Sequence, residues 1–416
     1  MRYGLIGEKL GHSFSKEIHE MIGYYKYEIH EVARCDIDKF MKEKDFVGIN
    51  VTIPYKETVI PYLDEISPQA SSIGAVNTIV NINGKLYGHN TDYFGMLALI
   101  KKNNIDCYNK KVLILGTGGT SKTAYAVLKD LGAKIILKAS INNEVGTITY
   151  DDAVRNHNDA EIIINTTPVG MYPKNDGCII NLDYFKNLIG VIDVVYNPLR
   201  TNLVINAKNK NIPSEGGLYM LVGQAVYASG LFLNQEMDLS IIDKIYDKLR
   251  NDKENIILIG MPSSGKTTIG KLLSEKLNRK LIDTDELIVD KIGMSIAEYL
   301  KSHTEKEFRD IETECVKEAA KLSGVVIATG GGAVLRCENV QALKQNGKLY
   351  FLKRDLNLLT PTQSRPFSSD YESLKRRYEE RLPIYESVCD VNVDNNGDIL
   401  DTVNAIIGDQ RWNYLL

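Results

Sequence analysis

The fold of this chain is decided by two stretches of similar design, KVLILGTGG at residues 111–119 and IILIGMPSSGKT at residues 256–267. In each stretch an apolar run with the length of a buried strand leads into a glycine-rich loop. A segment of helical character follows each loop. Because a strand, a glycine-rich loop and a helix N-terminus together form a common phosphate-binding unit, the sequence predicts two nucleotide sites in one α/β chain.

The first loop, with Gly116, Gly118 and Gly119, suits the pyrophosphate of a dinucleotide. Glycines let the backbone approach the ligand, and the following helix N-terminus offers free N–H groups. The third glycine of the general fingerprint is Ser121 here, so a plain tight turn between a strand and a helix is the alternative interpretation.

The residues beyond this loop favour NADP over NAD. An NAD site usually carries an acid about 20 residues after the glycines, where it binds the ribose hydroxyls. At that distance from Gly118 stands Lys138, and no acid occurs between Gly132 and Ser140. A cation at this place suits a 2′-phosphate.

The second loop is a complete P-loop, whose backbone N–H groups cradle phosphates. Lys266 is expected to reach the β- and γ-phosphates, and the Thr267 hydroxyl to bind Mg²⁺. The next predicted strand ends in Asp283 and Asp285, so that one carboxylate can serve Mg²⁺ and the other can accept the proton of a substrate hydroxyl. The residues expected to contact this nucleotide are Gly260, Ser263, Ser264, Gly265, Lys266, Thr267 and Thr268.

Composition limits the class of protein. The 416 residues predict two or three domains at about 150 residues each. A net charge of −4 argues against a nucleic-acid partner, and no stretch has the roughly 18 apolar residues of a membrane span. The six cysteines form no C-x-x-C pair and the six histidines show no ligand spacing, so we expect reduced thiols, no transition-metal site and a cytoplasmic location.

Short β-like runs alternate with helical stretches along the chain. In the middle part we expect strands at 112–115, 134–137 and 191–195 and a helix at 121–131. Strands separated by such helices are typical of parallel sheets with right-handed crossovers. The sequence therefore predicts an α/β fold.

Three domains are expected from this alternation. The first covers residues 1–101 and is completed by helices at about 219–250, the second covers 102–218, and the third covers 255–416. The charged run 247–254 contains no Gly, Pro or Ser and is interpreted as a short polar connection rather than a flexible tether.

Several polar side chains upstream of the first loop could act on a substrate. Lys56 follows a predicted strand, and together with Asp92 it could form a proton relay beside a carbonyl group that receives a hydride. Ser13 and Ser15 lie where the chain enters a helix, so their hydroxyls and the helix dipole could hold a carboxylate. Taken singly, Ser15 also fits a helix cap and Lys56 a solvated lysine.

As a set, these residues resemble shikimate dehydrogenase over about residues 1–245. The matching motifs, in family order, are H-S-x-S at 12–15, N-V-T-x-P-x-K at 50–56, G-A-V-N-T at 74–78, N-T-D at 90–92, G-x-G-G at 116–119, V-Y-N-P at 195–198 and G-L-x-M-L-V-x-Q-A at 217–225. The resemblance implies an α/β substrate domain, a Rossmann NADP domain and NADPH-dependent reduction of 3-dehydroshikimate.

The resemblance also implies roles for single residues. Lys56 and Asp92 would be the catalytic pair, and Gly217 would contact the cofactor. The residues implied to bind the substrate are Ser13, Ser15, Thr52, Asn77, Asn90, Tyr196 and Gln224.

One departure concerns the cofactor. The family has Asn-Arg followed by Ser or Thr after the second Rossmann strand, and here Ala139 replaces the phosphate-clamping arginine. We expect Lys122, Lys138 and Ser140 to take its place. Since a lysine is a point charge where arginine offers a bidentate fork, the preference for NADP is expected to be weaker than is typical.

Further candidates follow the P-loop. Arg309 and Arg381 could clamp a carboxylate, the glycines at 330–332 would let a small substrate approach the backbone, and Arg365 stands in a polar loop that could close over ATP as a lid. On its own, Arg309 would be interpreted as a solvated charge on a helix.

Together these residues resemble shikimate kinase over about residues 255–410. The motifs are the P-loop, D-x-D at 283–285, F-R at 308–309, A-T-G-G-G at 328–332, R-P at 365–366 and E-R-x-P-x-Y at 380–385. The resemblance implies a P-loop kinase domain with a parallel sheet that phosphorylates the 3-hydroxyl of shikimate with ATP.

The kinase resemblance assigns Asp283 to Mg²⁺, Asp285 to the reacting hydroxyl and Arg365 to the lid. It implies that shikimate is bound by Arg309, Gly331 and Arg381. The family's arginine at the opening of the lid is missing, because Leu358-Leu359-Thr360-Pro361 stands there. We therefore expect altered adenine binding.

The sequence thus predicts a bifunctional enzyme of aromatic amino-acid precursor synthesis that uses NADPH, ATP and Mg²⁺ on small-molecule substrates. One alternative is a quinate/shikimate dehydrogenase with NAD in the first half, which Ala139 permits. Another is a ligand sensor without turnover, which the intact catalytic motifs argue against. The sequence is compatible with a homodimer.

Overall fold

The computed structural model describes residues 2–11, 13–142, 144–360 and 370–412. Arg365 and most of the expected lid lie outside these described residues. The chain divides into two compact units, Met1–Leu249 and Arg250–Leu416. Together the units contain one mixed and two parallel sheets flanked by helices, which confirms the prediction of an α/β fold.

The first unit opens with a six-stranded mixed sheet. Its strands are β1 (Tyr3–Gly7), β2 (Glu28–Glu31), β3 (Gly48–Val51), β4 (Glu65–Ile66), β5 (Thr78–Ile82) and β6 (Lys85–His89), in the order β2-β1-β3-β5-β6-β4. Strand β5 runs antiparallel to both neighbours. The helices in this part are α1 (Ser15–Ile22), α2 (Ile37–Glu43), α3 (Pro68–Ile73) and α4 (Asp92–Lys102).

A five-stranded parallel sheet follows in the same unit. It consists of β7 (Lys111–Leu115), β8 (Ile135–Ala139), β9 (Ile162–Asn165), β10 (Gly190–Asp193) and β11 (Ser214–Glu215), in the order β11-β10-β9-β7-β8. The helices are α5 (Gly119–Asp130), α6 (Tyr150–Asn156), α7 (Asn202–Asn209), α8 (Leu218–Leu233) and α9 (Ser240–Lys253).

Strand β7 is apolar throughout its inner part because both faces of this sheet are covered. Val112 and Ile114 belong to the core that includes α4, α5 and α8, whereas Leu113 and Leu115 belong to the core on the opposite face. A strand buried on both sides has no polar face, which accounts for the unbroken apolar run in the sequence.

Helices were expected to about residue 250, and the last helix of this part continues into the charged run 247–254 that was interpreted as a polar connection. Helix α9 continues to Lys253, and Ile242, Ile245 and Leu249 are buried in the core shared with α1, α4 and α8. Their spacing of three and four residues places them on one helical face. This amphipathic pattern explains why the charged residues of 247–253 belong to a helix.

The second unit is built on a five-stranded parallel sheet with the order β13-β14-β12-β15-β16. The strands are β12 (Asn255–Ile259), β13 (Leu281–Asp283), β14 (Val326–Ala328), β15 (Gly347–Lys353) and β16 (Val391–Asp394). The helices are α10 (Lys266–Leu277), α11 (Thr284–Ile292), α12 (Ile296–Ser302), α13 (Glu305–Ala320), α14 (Cys337–Asn346), α15 (Tyr371–Val388) and α16 (Ile399–Trp412). The described residues of the two units also form short 3₁₀ segments at Ile60–Tyr62, Leu182–Tyr184, Ala333–Leu335 and Leu356–Leu358.

The P-loop leaves the central strand β12 at its carboxyl end and enters α10. The carboxyl ends of β13 and β14 lie at the same edge because all five strands are parallel. Ligands of open parallel sheets bind at this edge. Within the described ranges, no helix of the chain is long and apolar enough to cross a membrane.

Candidate active sites

A cavity of about 460 Å³ lies in the first unit, between strands of its first sheet, the segment after β10 and α8. It is lined by most of the side chains that the sequence singled out for the substrate and the catalytic step. These lining residues are Ser13, Ser15, Thr52, Lys56, Asn77, Asp92, Tyr196, Gly217 and Gln224.

Lys56 and Asp92 form an ion pair in this cavity. Lys56 lies in the turn after β3 and Asp92 is the first residue of α4, and Lys56 Nζ stands 2.5 Å from Asp92 Oδ2. The side chains are 22% and 14% exposed, so the pair is largely shielded from water yet reachable from the cavity. A lysine held in this way can donate a proton to a carbonyl oxygen and recover one through its carboxylate partner.

Asn77 is fixed by the start of α4. Its Oδ1 accepts a hydrogen bond of 2.7 Å from the Thr91 N–H, next to Asp92. Asn50 also lines the cavity, and its Nδ2 donates to Thr78 Oγ1 over 2.9 Å. The motif at 50–56 includes Asn50, but no role was predicted for this residue. Its place at the end of a buried strand could have indicated that it lines the site.

Asn90 is not among the residues that line the cavity. It is buried, its Nδ2 donates to the Ala75 carbonyl over 2.9 Å, and its Oδ1 accepts from the Tyr93 N–H over 3.2 Å. These bonds hold the first turn of α4, which carries Asp92. Asn90 thereby supports the turn that carries Asp92, and its contact with the substrate stays a prediction.

The start of α1 carries the two serines. Ser13 Oγ accepts a hydrogen bond of 3.2 Å from the Ser15 N–H, and Ser15 is buried against the helix. Both serines line the cavity at a helix N-terminus, where a carboxylate is favoured.

Another part of the cavity wall is formed by the segment after β10. Tyr196 packs against Phe14 with ring centroids 5.5 Å apart, and burial raises the pKa of its hydroxyl. At Gly217 a side chain would collide with the Val194 carbonyl, so only glycine fits there. The Gly217 N–H donates to the Val195 carbonyl over 2.9 Å.

A buried carboxylate supports that wall. Asp193 accepts hydrogen bonds from Asn165 Nδ2 (3.0 Å), the Val195 N–H (3.0 Å) and Thr201 Oγ1 (2.6 Å). Burial raises the pKa of Asp193 to about 6, although these three donors lower it. Asp193 thereby fixes the residues that lead to Tyr196.

The first glycine-rich loop has the geometry of a phosphate site. Gly116 has φ of 104°, and a Cβ there would lie 2.8 Å from Thr167 Cγ2. Gly118 precedes α5, whose first residue is Gly119, so the free N–H groups of the helix start at the loop. The residues present fit a pyrophosphate.

The three residues expected to replace the missing arginine have separate partners. Lys122 Nζ pairs with Glu57 Oε1 at 2.6 Å, and Lys138 Nζ lies 4.7 Å from the centre of the Tyr125 ring. Ser140 is buried, and its Oγ accepts from the Asn142 N–H over 3.1 Å. The structure gives Lys122 a carboxylate partner that the sequence did not predict.

The P-loop of the second unit holds its lysine against its own backbone. Lys266 Nζ donates to the carbonyls of Gly260 and Met261, at 2.9 Å each. Ser264 Oγ is buried and has no hydrogen-bond partner among the described residues. Ser263 Oγ donates to the Thr360 carbonyl over 2.8 Å, which connects the loop to the segment before the expected lid. Gly265 precedes α10, and Thr268 is exposed in its first turn.

The expected magnesium residues lie together. Thr267 Oγ1 donates to Asp283 Oδ2 over 2.8 Å, and Asp283 Oδ1 accepts from the Asp285 N–H over 3.0 Å. A hydroxyl and a carboxylate next to a P-loop are the oxygen ligands that Mg²⁺ takes together with phosphate. The donor set therefore fits Mg²⁺ bound with a nucleotide.

Three consecutive glycines form the centre of the second site, because side chains from three elements approach them closely. A Cβ on Gly330 would lie 2.6 Å from Asp285 Oδ1, and one on Gly331 would lie 2.9 Å from Pro262 of the P-loop. A Cβ on Gly332 would collide with the guanidinium of Arg309. The triplet thus brings the carboxylate, the phosphate loop and the arginine together.

Arg309 is buried, contrary to the view of it as a solvated helix charge. Its Nη1 donates to Glu312 Oε2 over 2.7 Å and its Nη2 to Glu305 Oε1 over 3.2 Å. Burial raises the pKa of Glu312, and the charge of Arg309 opposes that rise. Sequence reasoning missed Glu312, although an acid three residues after an arginine on one helix was a usable signal.

Arg381 approaches the glycine triplet from α15. Its Nη1 donates to the Gly331 carbonyl over 2.9 Å, and the hydroxyl of Tyr385 donates to the same carbonyl over 2.5 Å. Burial raises the pKa of Tyr385 to about 12. The structure therefore brings Arg309, Arg381 and Gly331 into one site with Asp285.

Comparison with known proteins identifies both halves of the chain. The family model of the shikimate dehydrogenase substrate binding domain matches residues 5–79, and that of shikimate kinase matches residues 262–409. The NADP(+) shikimate dehydrogenase of Clostridium beijerinckii is 38% identical over 267 residues, which are 60% of this chain and 98% of that relative.

Solved structures agree with the assignment of the N-terminal part. The crystal structure of shikimate dehydrogenase 1 from Peptoclostridium difficile is 38% identical, has a TM-score of 0.55 and covers 60% of this chain and 98% of its own. The shikimate dehydrogenase of Thermus thermophilus in complex with NADP(H) and shikimate is 27% identical, has a TM-score of 0.54 and covers 60% of this chain and 99% of its own. The chain therefore belongs to the shikimate dehydrogenase family in its N-terminal part and joins to it a shikimate kinase domain, which makes it an enzyme with two activities.

Proposed function

We propose that this chain carries out two consecutive reactions of the shikimate pathway. The first unit reduces 3-dehydroshikimate to shikimate with NADPH, and the second unit phosphorylates shikimate to shikimate 3-phosphate with ATP and Mg²⁺. The observation that carries the proposal is the pairing of Lys56 with Asp92 in a cavity lined by hydroxyl and amide groups. The product of that reduction is the substrate after which the second domain's family is named.

In the reduction, the residues of the cavity hold the substrate and move one proton. Ser13 and Ser15 bind its carboxylate, and Thr52, Asn77 and Gln224 bind its hydroxyls. NADPH supplies the hydride to the carbonyl carbon when it is bound. Lys56 donates a proton to the carbonyl oxygen, and Asp92 stabilises the ammonium group before the transfer.

In the phosphorylation, Arg309 and Arg381 hold the carboxylate of shikimate, and Gly331 lets the ring approach the backbone. Asp285 accepts the proton of the 3-hydroxyl. Bound MgATP supplies the phosphoryl group, and Lys266, Thr267 and Asp283 hold its phosphates and metal. Arg365 is proposed to complete the site.

The domain division remains a proposal in three parts. Residues 1–101 with the helices of about 219–250 would form the substrate domain, 102–218 the NADP domain and 255–416 the kinase. The burial of α8 and α9 against α1 and α4 supports the return of the chain to the first part.

Residues near the proposed cofactor site favour a second candidate function that differs in cofactor preference. Ala139 is fully buried and offers no guanidinium to a 2′-phosphate, and Lys122 is paired with Glu57. This arrangement favours an enzyme that also accepts NAD, in the manner of a quinate/shikimate dehydrogenase. We expect NADPH to remain preferred because Lys138 and the absence of an acid after β8 suit a phosphate.

Steady-state kinetics with both cofactors and both acids test the proposal. We expect the highest kcat/KM for shikimate with NADP and a measurable but lower value with NAD. A strong preference for NAD together with quinate would contradict it. Absence of turnover with every pair, in a protein that binds shikimate, would instead indicate a sensor.

A further inference from the structure

A chain of polar groups lies behind the cavity of the first unit. His19 is fully buried one helical turn after Ser15 on α1. Its Nδ1 lies 2.6 Å from the Tyr25 hydroxyl, which lies 2.5 Å from Ser229 Oγ on α8. The imidazole also stacks on Tyr27, with centroids 3.9 Å apart and planes 7° apart. None of these four side chains lines the cavity.

The distances favour one direction for this series of hydrogen bonds. Ser229 Oγ donates its single hydrogen to the Ala225 carbonyl over 2.8 Å, so it accepts from the Tyr25 hydroxyl. Tyr25 then accepts from His19, and Nδ1 of His19 must carry a hydrogen. Burial lowers the pKa of His19 to about 3, against a smaller upward effect of the Asn50 side chain. The imidazole is therefore neutral and protonated on Nδ1.

The stacked Tyr27 links the same histidine to the cavity wall. Its hydroxyl donates to Asn50 Oδ1 over 2.7 Å, and Asn50 Nδ2 donates to Thr78 Oγ1 over 2.9 Å. Both bonds lie in the buried interior, so they determine which way the carboxamide of Asn50 faces. Asn50 lines the cavity directly.

We propose that His19 is a positioning residue of the dehydrogenase site. Through Tyr25 and Ser229 it ties α1 to α8, and through Tyr27 it fixes Asn50 on β3. The cavity residues carried by these elements are Ser15 on α1, Asn50 on β3 and Gln224 on α8. The inference rests on the proposed dehydrogenase function, and since His19 does not touch the substrate, its network affects substrate binding and not the hydride step.

The direct test is Tyr25→Phe, which removes only the bridging hydroxyl. We expect KM for 3-dehydroshikimate to rise about five- to tenfold, as for a lost buried hydrogen-bond partner, while KM for NADPH and kcat change by less than about twofold. Tyr24→Phe is the matched control, because Tyr24 is 61% exposed and should leave every constant unchanged. Kinase activity of the same sample reports on the integrity of the protein.

Ser229→Ala removes the hydroxyl at the α8 end of this hydrogen-bonded series. It should likewise raise KM for 3-dehydroshikimate and leave KM for NADPH nearly unchanged. It decides the question if Tyr25→Phe fails to fold. Unchanged KM in Ser229→Ala, or equal rises for substrate and cofactor, would overturn the positioning role. Lys56→Ala separates this failure from that of the proposed function, because an active Lys56→Ala would overturn the function itself.

Nitrogen-15 NMR of the imidazole gives an independent readout, with the His19 signals identified by their absence in His19→Gln. We expect the neutral form with the hydrogen on Nδ1 throughout about pH 5 to 8, where an ordinary histidine titrates. A hydrogen on Nε2, or protonation within that range, would overturn the hydrogen-bond order described above.

Discussion

At the scale of single residues, the proposed reduction depends on one ion pair in a sheltered cavity. Lys56 and Asp92 come from different parts of the first unit and lie 2.5 Å apart. This contact orients the ammonium group that we propose as the proton donor to the substrate carbonyl. In the second unit, three consecutive glycines are approached closely by the side chains of Asp285, Arg309 and Arg381.

Lys56→Ala should lower dehydrogenase kcat by about 10²–10⁴-fold, the usual contribution of a general acid, and leave kinase activity intact. The two rates are measured separately, with 3-dehydroshikimate and NADPH for one and with shikimate and ATP for the other. Lys39→Ala is the control, since Lys39 is 76% exposed on α2. Loss of both activities in a folded Lys56→Ala protein would refute the independence of the sites.

Asp193→Asn should destabilise the first unit by about 1–3 kcal/mol, because an amide nitrogen would face hydrogen-bond donors. The pKa of Asp193 is raised to about 6 in the folded state, above its unfolded value of about 4. Its contribution to stability is therefore fully present below about pH 4 and is lost as the pH rises through about 6.

The free energies of unfolding of wild type and Asp193→Asn should thus differ most in acid and less towards neutral pH. The urea concentration that abolishes dehydrogenase activity, determined between about pH 5 and 7.5, reports this difference for the first unit. A difference that stays constant with pH would show that Asp193 does not titrate in this way.

Residue roles could be predicted from the sequence only where a local pattern carries them. Lys56, Asp92 and the P-loop residues stand in short motifs, and the structure brings each set together. The pairing of Lys122 with Glu57 was not predictable, because these residues are distant in the chain and meet only through the fold. His19 gave no signal, since its partners also come from separate elements.

At the scale of elements, the predicted bounds of one strand and one helix were wrong because hydrogen bonds near their ends set different limits. The strand expected at 191–195 ends at Asp193, because that carboxylate takes the Val195 N–H. The helix expected at 121–131 starts at Gly119, since the Gly118 carbonyl already accepts from the N–H groups of the next turn. Neither bond is visible in an apolar pattern.

Gly332→Ala tests the element that joins β14 to the second site. A Cβ there would collide with the Arg309 guanidinium, so we expect KM of the kinase for shikimate to rise more than about tenfold while KM for ATP changes little. Gly408→Ala in α16 is the control, because a Cβ there meets nothing within 4 Å. Equal effects of the two substitutions would contradict this arrangement of Arg309.

At the scale of the whole molecule, the order of the two units could be predicted because each carries its own set of motifs. The P-loop and the first glycine-rich loop both follow strands that are buried on two faces. The apolar runs of these strands therefore predicted the parallel sheets. Helices were predicted to about residue 250, and the continuation of α9 to Lys253 was missed because the buried residues of this helix lie mainly before the charged run.

The most direct measurement is a one-pot assay in which 3-dehydroshikimate, NADPH and MgATP are supplied together. We predict one NADPH oxidised and one ADP released for each substrate molecule. Lys266→Ala should oxidise NADPH without ADP release, and Lys56→Ala should release ADP only when shikimate is added. ADP release from Lys56→Ala with 3-dehydroshikimate alone, or NADPH oxidation by wild type without any ADP, would contradict the proposal that one chain performs both steps in sequence.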